Sequence, residues 1–314
     1  MDITKELTEI YEKAAKRSII EEVPEERRRL SGSMLPYCGL RDACDRLEKN
    51  DSYWTREKTM GSDFFTSVGT AAHIIFQNWL KDDASDRGWR IISNWKCKKC
   101  GIERSLVPYN KCTCGADTDF VEISVKWNNL SGNIDAVLQQ IGTKRPSKNN
   151  YWIVDFKTTS KYQIEQHQRS RNVYPIRDHV WQVEAYAMMF EKQYEIEVDG
   201  WVLMYASRDN PFYSFHSEAK KLTDKRKEII ERYMNKFSRH WTIADSLGKY
   251  IDEDSIDRDT RDKIKTLVEE KPCKSLDFYQ KHFHKRFSPC PVVEHCFHKN
   301  KLKTYLQNIL RNAK

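Results

Sequence analysis

The chain contains no apolar run long enough to span a bilayer, so a helical membrane protein is excluded as a reading of this sequence. It has no internal repeat and no low-complexity segment, which leaves an ordinary globular architecture as the expectation. An export signal is missing too: the opening segment, MDITKELTEIYEKAAKR, is charged and amphipathic, without the apolar stretch of a signal peptide. A cytoplasmic protein is therefore expected, in the host cytoplasm if the gene is viral. In that compartment structural disulfides are not anticipated, and the cysteine count of nine is odd. Excess charge is absent from most of the chain. The net charge is +8, and Thr260 to Lys314 alone carry 13 Lys and Arg against 5 Asp and Glu.

What is present begins with a real core: 39% of residues are hydrophobic and 32% are charged. With 314 residues the chain suits one large domain or two small ones. A basic tail on a balanced body fits a polyanion partner; a solvated helical surface has the same composition. Residues 1–30 read as a charged helical arm. Residues 31–93 read as helical, including TSVGTAAHIIFQNWLKD, where Ile74, Ile75, Trp79 and Leu80 can face a core. Residues 94–124 hold four cysteines and little periodicity. Residues 125–216 alternate as strands in FVEISVKWNNLSG, NIDAVLQQIG, YWIVDFKTTS and VDGWVLMYASR, with one helix, VWQVEAYAMMFEKQY. Residues 217–271 read as charged helix, and 272–314 as a basic, cysteine-bearing end. Helices, then a hairpin-rich sheet, then helix and strand make a mixed α/β core.

Two strand-like segments each present one carboxylate, Asp135 and Asp155, and Lys157 follows two residues after the second. Residues i and i+2 of a strand share a face, so Asp155 and Lys157 project together while Phe156 points into the packing. If the two strands pair, Asp135 joins them. Two close carboxylates repel and call for a cation, and hard oxygen ligands suit Mg²⁺ or Mn²⁺. Lys157 then stands where it can orient water or stabilise developing charge. His73, in GTAAH, offers an imidazole from a helix; Gln182 and Tyr186, spaced i, i+4, share a helix face. Taken singly, each piece is common: an Asp-x-Lys pair is most often a surface ion pair. Their order is the specific signal.

Cys97-x2-Cys100-x11-Cys112-x-Cys114 reads as a small zinc ribbon. Two close pairs of thiols, each on a turn with Gly101 or Gly115, can close a tetrahedral sulfur site for Zn²⁺. Free cysteines in a loop are the alternative.

In the order Gly69 to His73, Gly132 to Asp135, Asp155 to Lys157, Gln182 to Tyr186, the sequence resembles the PD-(D/E)XK nuclease superfamily in its RecB-like branch, which includes CRISPR-associated, AddB-type and phage exonucleases. The resemblance covers about Ser31 to Ser207 and resumes at the last cysteines. It implies a restriction-endonuclease-like mixed β-sheet flanked by helices, with the zinc ribbon inserted and a cysteine-clamped C-terminal segment. It implies that His73, Asp135, Asp155 and the Phe156 carbonyl hold Mg²⁺ or Mn²⁺, that Lys157 is catalytic, and that Gln182 and Tyr186 assist. Asp155 stands where many relatives have Glu. The same branch often clamps a [4Fe–4S] cluster with one early and three late cysteines. Cys38, Cys273, Cys290 and Cys296 match that pattern, with Cys44 a rival for the early position. Cys273 departs from it, lying 16 residues before Cys290. Unligated cysteines or zinc at these positions are the other readings.

The implied activity is that of a metal-dependent DNA exonuclease acting on ends or single strands, in recombination, repair or phage DNA processing, with a helicase or recombination protein as a possible partner. A structure-specific endonuclease and a non-catalytic DNA-binding subunit are the alternatives. Lys161, Arg169, Arg171, Tyr174 and Arg177, just after the catalytic strand, and the basic C-terminus are the candidates for DNA contact. A solvated loop is the plainer reading of that stretch.

Overall fold

A computed structural model of the chain describes residues 18–22, 30–31, 55–83, 88–141, 151–169, 176–208 and 215–249, with single helical positions at 258, 262, 266, 304 and 308. Its centre is a seven-stranded sheet. β-branched and aromatic runs make strand β10 (Tyr151–Thr159), which pairs in parallel with β11 (Val198–Ser207) and antiparallel with β9 (Ala136–Gln140). Strand β4 (Trp89–Cys97) follows β9. Beyond it, β5 (Glu103–Pro108) and β6 (Thr118–Val121) pair with different stretches of β4. Strand β12 (Phe215–Lys221) closes the other edge against β11. A smaller sheet joins β2 (Leu30–Ser31), β8 (Leu130–Ile134) and β7 (Ile123–Trp127), and β1 (Ser18–Glu22) pairs with β3 (Thr55–Thr59).

Helices cover both faces. Helix α1 (Met60–Asp83) lays Ala72, Phe76 and Leu80 on the face that carries Val154 and Phe156. Helix α2 (Lys161–Arg169) follows β10. Helix α3 (Ile176–Tyr194) buries Val183, Ala185, Met189 and Phe190 with Ile153 and Leu203 on the other face, joined by Ile230, Met234 and Phe237 of α4 (Asp224–Lys249). A parallel β10–β11 pair needs a crossover, and α2 and α3 supply it. This mixed sheet with flanking helices meets the restriction-endonuclease-like expectation. Among the described residues, no helix is long and apolar enough to cross a membrane.

Several local readings change. Residues 55–59 and 89–93, within the span read as helical, are β3 and the start of β4, which have β1 and β9 to pair with. Ile74 and Ile75 are 53% and 47% exposed rather than core-facing, because the stripe that meets the sheet is Ala72, Phe76 and Leu80. Residues 18–22 within the expected helical arm are strand, since Ile19 and Ile20 are β-branched and have β3 to pair with. Residues 217–221, read as helix, belong to β12; the helix starts only at Asp224, where the Thr223 hydroxyl accepts the Arg226 amide as an N-cap.

Candidate functional site

The β7–β8 hairpin is an excursion. The chain leaves the large sheet after β6, passes through Glu122 into β7, turns at Asn128–Asn129, and returns along β8 through Asp135 into β9. Ile123 pairs with Ile134, so Glu122 and Asp135 are the next facing positions at the hairpin's base. On the other side Val154 pairs with Ala136, which sets Asp135 beside Asp155. One bend in one strand thus brings together residues from two sheets.

Asp135 is held from three directions. Its Oδ2 accepts the backbone amide of Phe156 at 2.6 Å, and its Oδ1 lies 3.4 Å from Nδ1 of His73. Its carbonyl accepts the side-chain amide of Gln77 at 3.2 Å. His73 and Gln77 are one turn apart on α1, so a single helix face grips both the side chain and the backbone of this residue. Ligand atoms of His73, Glu122 and Asp135 all lie within 4.8 Å of one another. Asp155 stands beyond that set, buried to 2% exposure. The partner of its Oδ2 is the Lys157 ammonium at 2.7 Å, and no directional hydrogen bond reaches that oxygen among the described residues. As the strand period requires, Phe156 points the other way and stacks on Phe76 at 4.9 Å between ring centroids.

The helix α3 side is polar where it meets Lys157. Gln182 Nε2 donates to the Tyr186 hydroxyl at 2.8 Å. The Tyr186 ring lies against Gly132: a Cβ there would come within 2.1 Å of its Cε1, so the glycine before Asp135 makes room for the tyrosine. Half-buried His179, three residues before Gln182, shares a hydrogen bond of 2.9 Å with the hydroxyl of Tyr205, the strand neighbour of Lys157.

Charges here are strongly coupled. Burial pushes the Asp155 carboxyl up to about 6, against the opposing pull of Lys157. Glu122 is raised by burial and by the carboxylate of Asp135, with His73 opposing. Burial works against a charge on His73, but the hydrogen bond and charge of Asp135 outweigh it and its pKa rises. Lys157 is likewise desolvated yet raised, because Asp155 and Asp135 surround it. His179 is driven down to about 3, by burial first and then by Lys157. A pocket in which the carboxylates of Asp135, Asp155 and Glu122 meet one imidazole and are balanced by one lysine fits a hard divalent cation by its donor set.

The second cluster lies on the turn that follows β4, with Cys97 and Cys100, and on the connection between β5 and β6, with Cys112 and Cys114. Cys97 and Cys114 approach to 3.6 Å between sulfurs, as do Cys100 and Cys112, and all four come within 4.8 Å. The backbone amides of Cys100 and Lys99 point at the Cys97 sulfur and bring its thiol down to about 6. Four converging sulfurs with one already acidic fit a soft or borderline ion. Just after this cluster, Asp117 accepts from Lys81 of α1 at 3.0 Å and from the Tyr109 hydroxyl at 2.9 Å.

Every expected residue of the central site is therefore brought into one region, and two that sequence reasoning missed, Glu122 and Gln77, join it. Lys161 is exposed at the start of α2. Arg169 ends α2 and Arg177 lies in the first turn of α3, while Arg171 and Tyr174 fall outside the described residues. Cys38, Cys44, Cys273, Cys290 and Cys296 also fall outside them.

A family model described as the PD-(D/E)XK nuclease superfamily matches residues 63–297. No curated protein matches the chain. Among solved structures, that of SSO0001 is 13% identical and covers 76% of this chain and 85% of its own, with a TM-score of 0.33. An alkaline exonuclease (LHK-Exo) from Laribacter hongkongensis is 8% identical and covers 71% of this chain and 91% of its own, with a TM-score of 0.33. The same exonuclease in complex with dAMP gives 8% identity and a TM-score of 0.32 over the same shares.

Proposed function

Because the chain belongs to the PD-(D/E)XK nuclease superfamily, we propose that it is a Mg²⁺- or Mn²⁺-dependent DNA exonuclease working from ends or single strands. The observation that carries this reading is the convergence of Glu122 and Asp135, at the two feet of one hairpin, on His73, Asp155 and Lys157. In it His73, Asp135, Asp155 and the Phe156 carbonyl hold the cation, and Glu122 adds a fifth donor. Bound there, such an ion would polarise a phosphate oxygen and acidify a water. Lys157 keeps its proton, since two carboxylates raise its pKa, and its Nζ donates a hydrogen bond to the phosphate or to the attacking water. Gln182 and Tyr186 form the polar wall that holds the lysine and the phosphate in line. His179 stays neutral, so it adds no second positive charge beside Lys157.

Lys161, Arg169, Arg171, Tyr174 and Arg177 are the residues this reading assigns to contact with the DNA backbone and one base. Zn²⁺ occupies Cys97, Cys100, Cys112 and Cys114 as a structural ion. Cys38, Cys273, Cys290 and Cys296 ligate a [4Fe–4S] cluster; an anaerobically purified protein without iron ends that part of the reading. Recombination, repair or phage DNA processing is the setting such an enzyme serves, beside a helicase or recombination protein.

The test is digestion of end-labelled linear and of covalently closed circular DNA, single- and double-stranded, with Mg²⁺ or Mn²⁺. Stepwise loss of the label from linear DNA, with circles intact and Asp155→Ala inactive, is the expected result. Circles cut as fast as linear DNA would replace the exonuclease by an endonuclease, and no hydrolysis of any substrate would end the enzymatic reading.

A further inference from the structure

The hairpin that places Glu122 and Asp135 at its base has its tip on another feature. Its two-residue connection, with Asn128 in the left-handed region at φ 51°, faces α4 across an open groove of about 910 Å³. Asn128 and Asn129 line one side; Arg232, Lys236, Arg239 and Thr242 line the other. The Asn129 side-chain amide donates to the Thr242 hydroxyl at 2.7 Å, which pins the hairpin tip to the helix.

Helix α4 has turned its apolar stripe, Ile230, Met234 and Phe237, onto the core. Arg232, Lys236 and Arg239 therefore share the opposite stripe at i, i+4 and i+7, about 6 Å and then about 10 Å along the helix axis from the first. Arg232 and Arg239 are exposed and Lys236 is half-buried. Among the described residues no carboxylate and no aromatic ring lines the groove. A row of cations with amide donors and no stacking platform is the chemistry of backbone contact, without base readout.

We propose that this groove is a second binding site, for the phosphodiester backbone of the nucleic acid whose scissile bond lies in the Asp135–Asp155 centre. It rests on the nuclease reading above. Asn129 and Asp135 are six positions apart on an extended strand, so at roughly 3.3 Å per residue the groove lies about 20 Å from the centre. At about 3.4 Å per nucleotide of a stacked strand, that is a span of about six nucleotides. A substrate shorter than this reaches only one site; a longer one is held by both.

The test compares wild-type protein with the triple variant Arg232→Gln, Lys236→Gln, Arg239→Gln, with melting temperature checked. Binding of a labelled 30-nucleotide single strand in EDTA is measured at several salt concentrations, alongside cleavage of a trinucleotide with Mn²⁺. Three lost phosphate contacts lower the slope of log affinity against log salt by about 2 in magnitude. Trinucleotide cleavage stays at the wild-type level. The milder Arg232→Lys, Arg239→Lys variant retains most of the slope, and single Arg→Gln variants report separately should the triple fail to fold. Unchanged 30-mer affinity and slope in a folded triple variant overturn the groove. A wild-type protein that binds with the expected slope yet cuts nothing sinks the nuclease reading and leaves the groove standing.

Discussion

Among the described residues two clusters are able to take a cation, and they are built in opposite ways. The four thiols come from 18 consecutive residues, Cys97 to Cys114, on two turns that flank β5. The carboxylate site draws His73, Glu122, Asp135 and Asp155 from a helix, two strand junctions and a central strand. The first can form as soon as one short segment folds. The second exists only when the hairpin, α1 and β10 are all docked. Local clusters suit a staple; dispersed ones report that the whole core is in place, which is what a hydrolytic centre requires.

The sharpest way to break this contrast is to disable each cluster alone. Asp155→Ala should take phosphodiester hydrolysis below detection while the variant still melts cooperatively. Cys100→Ser should lower the melting temperature while keeping most of the activity at temperatures where it is folded. Steady-state cleavage beside thermal melts decides, and equal inactivation of two folded variants would erase the distinction. Next in size, Glu122→Gln should weaken Mn²⁺-dependent cleavage about 10- to 100-fold, mainly by raising the metal concentration needed. A metal titration that superimposes on wild type would remove Glu122 from the site.

A pH profile separates the clusters in another way. The Asp155 carboxyl is raised to about 6, so it is protonated below that pH and cannot share a cation. At limiting Mn²⁺ the rate should fall about tenfold per pH unit below 6 and level off above it. Saturating Mn²⁺ should carry that limb to lower pH, because the ion competes with the proton. A limb that ignores metal concentration would assign it to another group. Smaller still, Gly132→Ala drives a methyl into the Tyr186 ring and should destabilise the fold by about 1–3 kcal/mol in chemical denaturation. The smallest effect belongs to Asp117→Asn, which breaks a half-exposed ion pair and should shift stability by about 0.5 kcal/mol.

The same contrast explains what could be read from the residues alone. The thiol cluster was legible because its spacing is its geometry. Asp155 and Lys157 were legible because a two-residue strand period is unambiguous, and Asp135 because it follows Gly132 by three positions at the end of a strand, in the order the family shares. Glu122 was hidden in FVEISVKW, whose alternation reads as one strand; the chain in fact changes sheets at that residue, and nothing in a period-two pattern marks such a junction. Gln77 was hidden because its role is to hold a backbone carbonyl 58 residues away. Ile74 and Ile75 misled because apolar side chains fit more than one helical stripe, and only the sheet beneath α1 selects among them.

His73, Gln77 and Lys81 follow one another on successive turns of α1 and hold, in order, the Asp135 side chain, the Asp135 carbonyl and Asp117. Such a comb engages all its teeth or none. A helix displaced by one turn would misalign every contact together, so no intermediate placement leaves a half-built centre. The centre is therefore complete only when strands distant in the sequence have closed on this helix.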